Sequence, residues 1–159
     1  MSEANILDRT REVYAVICQA LDEIKIAYTK NENEFSAHLN AKGRDLPIDI
    51  TVRVDYENEL VALESPLPTK IPKDRYLEIA VAINALNFIV QDGSFAYNIE
   101  NGEVAFRLSC GYNSREITKE LAVYIFTCSF TTVDTVNDKL DKLMKGETEL
   151  ETFVSQFGY

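Results

Sequence analysis

Basic charge, histidine, cysteine and long apolar runs are all scarce in this chain of 159 residues. Lys and Arg number 16 against 26 Asp and Glu, and the formal charge of −10 is spread over the whole length. No basic stripe is left to neutralise phosphates, which argues against nucleic acid as a partner. The same acidity disfavours anionic membrane surfaces, and no apolar run approaches the ~20 residues that span a bilayer, so no membrane role is expected. The start, Met1-Ser-Glu-Ala-Asn, lacks a basic end followed by an apolar stretch. It does not read as a secretory signal, and the expected compartment is the cytoplasm. Cys18, Cys110 and Cys128 stand far apart inside apolar segments, a spacing that suits reduced, buried thiols rather than bridges or metal ligands. Zinc spacing, an EF-hand, a phosphate-cradling loop, a dinucleotide fingerprint and a nucleophile-elbow serine are also missing, so no cofactor is expected.

What the chain does have is apolar residues, 46% of the total, with 10% aromatic. That composition supports one domain over residues 1–159, burying roughly 70% of its unfolded surface.

Apolar residues at Ile6, Val13, Ile17, Ala20, Leu21, Ile24 and Tyr28 line one face of a first helix. Phe35, Ala37, Leu39 and Ala41 then alternate with polar residues, as do Ile48, Ile50, Val52, Val54 and Tyr56. A third strand runs from Leu60 to Leu67 beyond an Asn58-Glu59 turn. The loops predict Leu39 opposite Ile50, Ala37 opposite Val52, Tyr56 opposite Val61 and Val54 opposite Leu63. A second helix opens at Pro72, a favoured first position, and stops at Asp92-Gly93. Asn101-Gly102 marks a type I′ hairpin that sets Ile99 opposite Val104, Tyr97 opposite Phe106 and Phe95 opposite Leu108. Ser114 caps a long third helix reaching Lys145-Gly146, and a short helix covers 147–157. The order α-β-β-β-α-β-β-α(-α) predicts an α+β fold: a five-stranded antiparallel sheet with helices on one face and the other face polar. Its core lies at about residues 5–145.

Ala85-Leu86-Asn87, Asp92-Gly93-Ser94-Phe95 and Asn101-Gly102-Glu103-Val104-Ala105-Phe106-Arg107, with the long helix after Ser114, resemble the YbjN-like family of bacterial proteins. The element order resembles the type III secretion chaperone fold that this family shares. The resemblance implies a small, acidic, often dimeric and non-enzymatic protein. Secretion chaperones hold an effector segment, and YbjN-like proteins are linked with stress and regulation. No functional residue carries over.

Two surfaces stand out as candidates. Val123, Phe126, Phe130 and Val133 extend the apolar face of the long helix to a second side, and they either complete the core or meet a homodimer mate or another protein. His38, Asp49, Arg53, Asp55, Asn98 and Arg107 fall on the polar sheet face. His38, the one histidine, stands diagonal to Asp49, which permits an acid–base pair or two solvated side chains. Asp49 and Asp55 lie about 20 Å apart on one strand, too far for a glycosidase-like pair. The sequence thus predicts a non-enzymatic module that binds another protein. The alternative is a small-ligand binder or hydrolytic enzyme using the polar face around His38.

Overall fold

The computed structural model describes residues 3–158. Helix α1 (Glu3–Glu23) leads into strands β1 (Thr29–Asn31), β2 (Ser36–Lys42), β3 (Pro47–Asp55) and β4 (Leu60–Pro66). A single 3-10 turn (Lys73–Arg75) precedes helix α2 (Tyr76–Ile89), and strands β5 (Ser94–Asn98) and β6 (Glu103–Gly111) follow. Helices α3 (Lys119–Met144) and α4 (Leu150–Ser155) close the order. The strands form one antiparallel sheet in the order β1-β2-β3-β4-β6-β5.

The sheet has six strands where the sequence predicts five. Strand β1 is short, polar and exposed throughout, so it shows no alternation to read. It arises because α1 ends at Glu23 rather than Tyr28. Lys25 takes φ 57°, Lys25 N–H bonds Asp22 O at 3.1 Å and Ile26 N–H bonds Leu21 O at 3.2 Å. This is a Schellman end with lysine in the place glycine usually takes. At the end of α3 the same motif uses Gly146, φ 74°, and there the sequence shows it.

Leu39 faces Ile50 and Ala37 faces Val52, as expected. The other two predicted registers are displaced by two residues: Val54 faces Val61, Val52 faces Leu63, Tyr97 faces Val104 and Phe95 faces Phe106. The cause is one loop geometry used twice. Each loop is four residues long and ends in positive φ, at Glu59 (51°) and Gly102 (74°). Each opens on a residue whose carboxylate or amide oxygen accepts a loop N–H. Asp55 accepts from Glu57 and Asn58 at 3.0 and 3.1 Å, and Asn98 accepts from Glu100 at 3.0 Å. Asn101 keeps negative φ, so the turn is not type I′. A two-residue slip leaves every side chain on its original face, whereas a slip of one would turn the apolar row to water.

The buried face carries Ile48, Ile50, Val52, Val61, Leu63 and Phe106, each at most 2% exposed. At roughly 1.5–3 kcal/mol for each fully buried side chain of this kind, this row dominates the stability of the sheet. Helices α1 and α3 pack on each other and over the sheet, α2 lies on β5, and α4 touches both α2 and α3. Cys18 and Cys110 are buried as expected, but Cys128 is partly exposed. Helix α3 starts at Lys119, not at Ser114, with the Thr118 hydroxyl accepting from Leu121 N–H at 3.2 Å. Arg9 ties down the preceding loop by donating to the carbonyls of Asn113 and Arg115 at 3.3 and 3.2 Å. Pro72 stands one residue before the helical turn rather than inside it.

Gly93 has φ 82°, and a Cβ there would lie 2.4 Å from Phe106 Cζ, whereas at Gly111 the nearest atom would be 3.5 Å away. Gly93→Ala therefore lowers stability by about 1–3 kcal/mol or more in a denaturant titration, and Gly111→Ala leaves it nearly unchanged. The Asn58 side chain and the loop amides hold the Asp55 carboxyl below its ordinary value near 3.8. A lowered carboxyl contributes stability above its unfolded-state value and loses it as pH falls through the folded one, here as pH drops below about 4. Asp55→Ala is less stable at pH 7 and shows a flatter decline over that acid range.

Candidate partner-binding surfaces

The open face of the sheet carries one polar row across all six strands: Thr29, His38, Thr51, Glu64, Arg107 and Ser94, each directly opposite the next. His38 Nδ1 lies 3.2 Å from Thr51 Oγ1, and His38 Nε2 lies 3.8 Å from Asp49 Oδ1. Asp49 accepts at the same time from Asn40 Nδ2 at 2.6 Å. The His38 and Asp49 side chains are 55% and 49% exposed, so water screens their attraction. The structure therefore brings His38 and Asp49 within reach of each other on an open surface.

The other residues of this face are spread apart. Arg53 Nη2 is 3.8 Å from Asp55 Oδ2, and Asp55 and Asn98 are the two residues that open the loops described above. Arg107 Nε donates to Glu64 at 2.9 Å. Arg107 and Asn98 do meet at a concavity of about 510 Å³ floored by Pro66, Ala96 and Ala105. Its cations already have partners, Arg107 with Glu64 and Lys70 with Glu103 at 2.8 Å. The lysine and an Asn101 amide together lower the Glu103 carboxyl.

The stripe on α3 divides. Phe126 and Val133 are 3% and 1% exposed and belong to the core, because α1 and the sheet cover that side of the helix. Val123 and Phe130 are only partly buried. Phe130 lines an apolar groove of about 250 Å³, together with Phe126, Ile24, Ile26, Leu39 and Ile50. The groove lies at the β1–β2 edge, since Ile24 and Ile26 belong to the segment that leads into β1. Strand β1 pairs only with Ser36–His38, leaving the β2 segment from Leu39 onward beside the groove without a strand partner on that side.

The opposite edge is occupied. Asn87 on α2 accepts from Phe95 N–H at 2.7 Å and donates to Phe95 C=O at 3.0 Å. One side-chain amide thus satisfies both backbone groups of Phe95, the second residue of β5, as a neighbouring strand would. This contact gives the Ala85-Leu86-Asn87 and Gly93-Ser94-Phe95 segments their physical role.

Sequence reasoning missed a further surface on α2. Leu77, Val81 and Phe88 point away from the sheet and are 83%, 55% and 80% exposed, with Ile89 and Tyr124 at the edge of the patch. The available signal was composition: Glu78 is the one charged residue among the 14 of this helix, too few to solvate an outer face.

No family model matches the chain, and no curated protein matches it. Solved structures do. YbjN from E. coli superposes with a TM-score of 0.60 at 13% identity, covering 83% of this chain and 92% of that one. A chain of the ExsC–ExsE complex superposes at 0.53 and 12% identity, covering 80% and 95%. A chain of the HopA1–SchA chaperone–effector complex does so at 0.46 and 12% identity, covering 92% and 96%. The chain has the α+β fold expected of it, YbjN-like and type III secretion chaperone-like.

Proposed function

We propose that the chain works as one non-enzymatic domain that binds another protein, as a homodimer in the cytoplasm, holding an extended partner segment at the β1–β2 edge. The observation that carries this reading is the asymmetry of the sheet edges. Asn87 caps the β5 edge at Phe95, while among the described residues β1 meets no strand but β2 and opens beside the apolar groove of Phe126 and Phe130. An added strand gains main-chain hydrogen bonds from an open edge and selectivity from a pocket for one side chain. The groove, about 250 Å³ and almost wholly apolar, suits one large aliphatic or aromatic residue. The charge of −10 favours a segment that is neutral or basic. The likeness in fold to a chain of the ExsC–ExsE complex agrees with this reading. Val123, half-buried on α3, stands one helical turn before Thr127 of the groove lining.

The test is purification of the protein from its source cell under native conditions, followed by hydrogen exchange on the isolated pair. A partner protein at fixed stoichiometry is expected, with slowed exchange at 24–31 and unchanged exchange at 94–98. Phe130→Ser weakens the pair at least about tenfold, and His38→Ala leaves it unchanged. Protection confined to the open face around His38, with loss of binding in His38→Ala, would assign the function to that face instead.

A further inference from the structure

Beside the groove at the β1–β2 edge runs a segment of the chain that has the side-chain order of a strand but no ladder. Helix α1 ends at Glu23 and β1 begins at Thr29. Between them Ile26 and Tyr28 pack against the core, while Ala27 is exposed. The alternation carries on into β1. Thr29 lies opposite His38 on the open face, and Lys30 lies opposite the buried Ala37, its ammonium 5.4 Å from the centre of the Tyr28 ring. Continued by three residues, the β1–β2 register sets Tyr28 opposite Leu39, Ala27 opposite Asn40 and Ile26 opposite Ala41. Apolar residues then meet on the helix side and Ala27 meets Asn40 on the open face, as the pleat requires. Ala41, which lines the groove, is small and leaves space there for Ile26.

The end of α1 holds this segment away from β2. Ile26 N–H bonds Leu21 O at 3.2 Å, and the Tyr28 hydroxyl reaches Cys18 O and Asp22 Oδ1 at 3.2 and 3.0 Å. The first of these bonds belongs to the cap that keeps Lys25 at φ 57°, a conformation strained for lysine and open to glycine. Release of that cap returns Lys25 to ordinary backbone and exchanges a helix-end hydrogen bond for ladder bonds. It also takes the apolar lining of the groove out of water. The segment thus has two arrangements, and the structure shows the open one.

We propose that residues 26–28 are a strap that zips onto residues 39–41 and closes the groove with the chain's own Ile26. This rests on the reading of that edge as the partner's seat, and it adds the regulation of that seat. Strap and partner strand compete for the same β2 backbone. The partner's affinity therefore falls in proportion to the fraction of chains whose edge is open. Without a partner, the closed form also hides a strand edge that would invite pairing between chains.

Disulfide trapping on the isolated chain tests the closure, in a Cys128→Ser background because Cys128 is partly exposed. Ala27→Cys with Asn40→Cys bridges only when the two Cα atoms come within about 7 Å. Thr29→Cys with His38→Cys is the reference, a pair already opposed in the ladder. In oxidised glutathione the 27–40 pair is expected to bridge within about tenfold of the reference rate. Lys25→Gly steadies the cap and slows the 27–40 bridge about fivefold, whereas Lys25→Val speeds it. No bridge at 27–40 where 29–38 closes, or a rate indifferent to residue 25, overturns the strap. The bridged chain is expected to lose the partner protein recovered in the native purification, and reduction restores binding. Equal binding by bridged and reduced forms overturns the strap as a regulator, although the partner reading stands. Failure to recover any partner overturns that reading and leaves the closure, measured on the chain alone, in place.

Discussion

The structure depends on one constraint: the chain has enough helix to cover one face of its sheet. Six strands bury Ile50, Val52, Leu63 and Phe106 under the helices, and among the described residues no helix is left for the opposite face or for both edges. The open face is therefore polar from β1 to β5, with Thr, His, Glu, Arg and Ser in a single row. The edges need separate solutions, because an exposed row of backbone donors and acceptors invites another strand.

The two edges are treated differently, and that difference directs the functional reading. At β5 the Asn87 amide takes both backbone groups of Phe95. Each such bond is worth about 1 kcal/mol net, and each group would cost about 1–3 kcal/mol if buried without a partner. Gly93 lets the chain turn tightly enough to bring Phe95 under Asn87, with the Phe106 ring filling the space a side chain would need. Among the described residues no such amide is recorded at β1, and the strand is only three residues long. Beside it the helix layer leaves a groove instead of a seal. The open groove and the capped edge thus sit at opposite ends of one sheet, and α2, which supplies the cap, presents a second apolar face outward.

Much of this architecture was legible in single segments. The alternation from Ile48 to Val54 showed the central strand, its buried face and its pairing with β2. The long helix, its glycine stop at Gly146 and the polar open face were equally readable. The displaced registers came from the loops: Asn101-Gly102 looks like a two-residue hairpin, but Asn98 competes for the loop amides and lengthens it to four. Strand β1 escaped because three polar residues carry no period. The end of α1 escaped because Lys25 adopts a conformation usually left to glycine. Of the α3 stripe, half became core and half became groove wall, since burial on a two-sided helix depends on which neighbours arrive.

Local pattern by itself determined the helices, five of the strands, the buried side of each and the acidic, motif-poor surface, because these follow from side-chain periodicity along one stretch of chain. Tertiary structure alone decided what happens between distant segments. It brought Asn87 to Phe95, drew Ile24, Ile26, Phe126 and Phe130 around one groove, and left Leu77, Val81 and Phe88 facing water. Those outcomes turn on how helices and strands pack across the fold, and an apolar residue in sequence carries no mark of which neighbour, if any, will cover it.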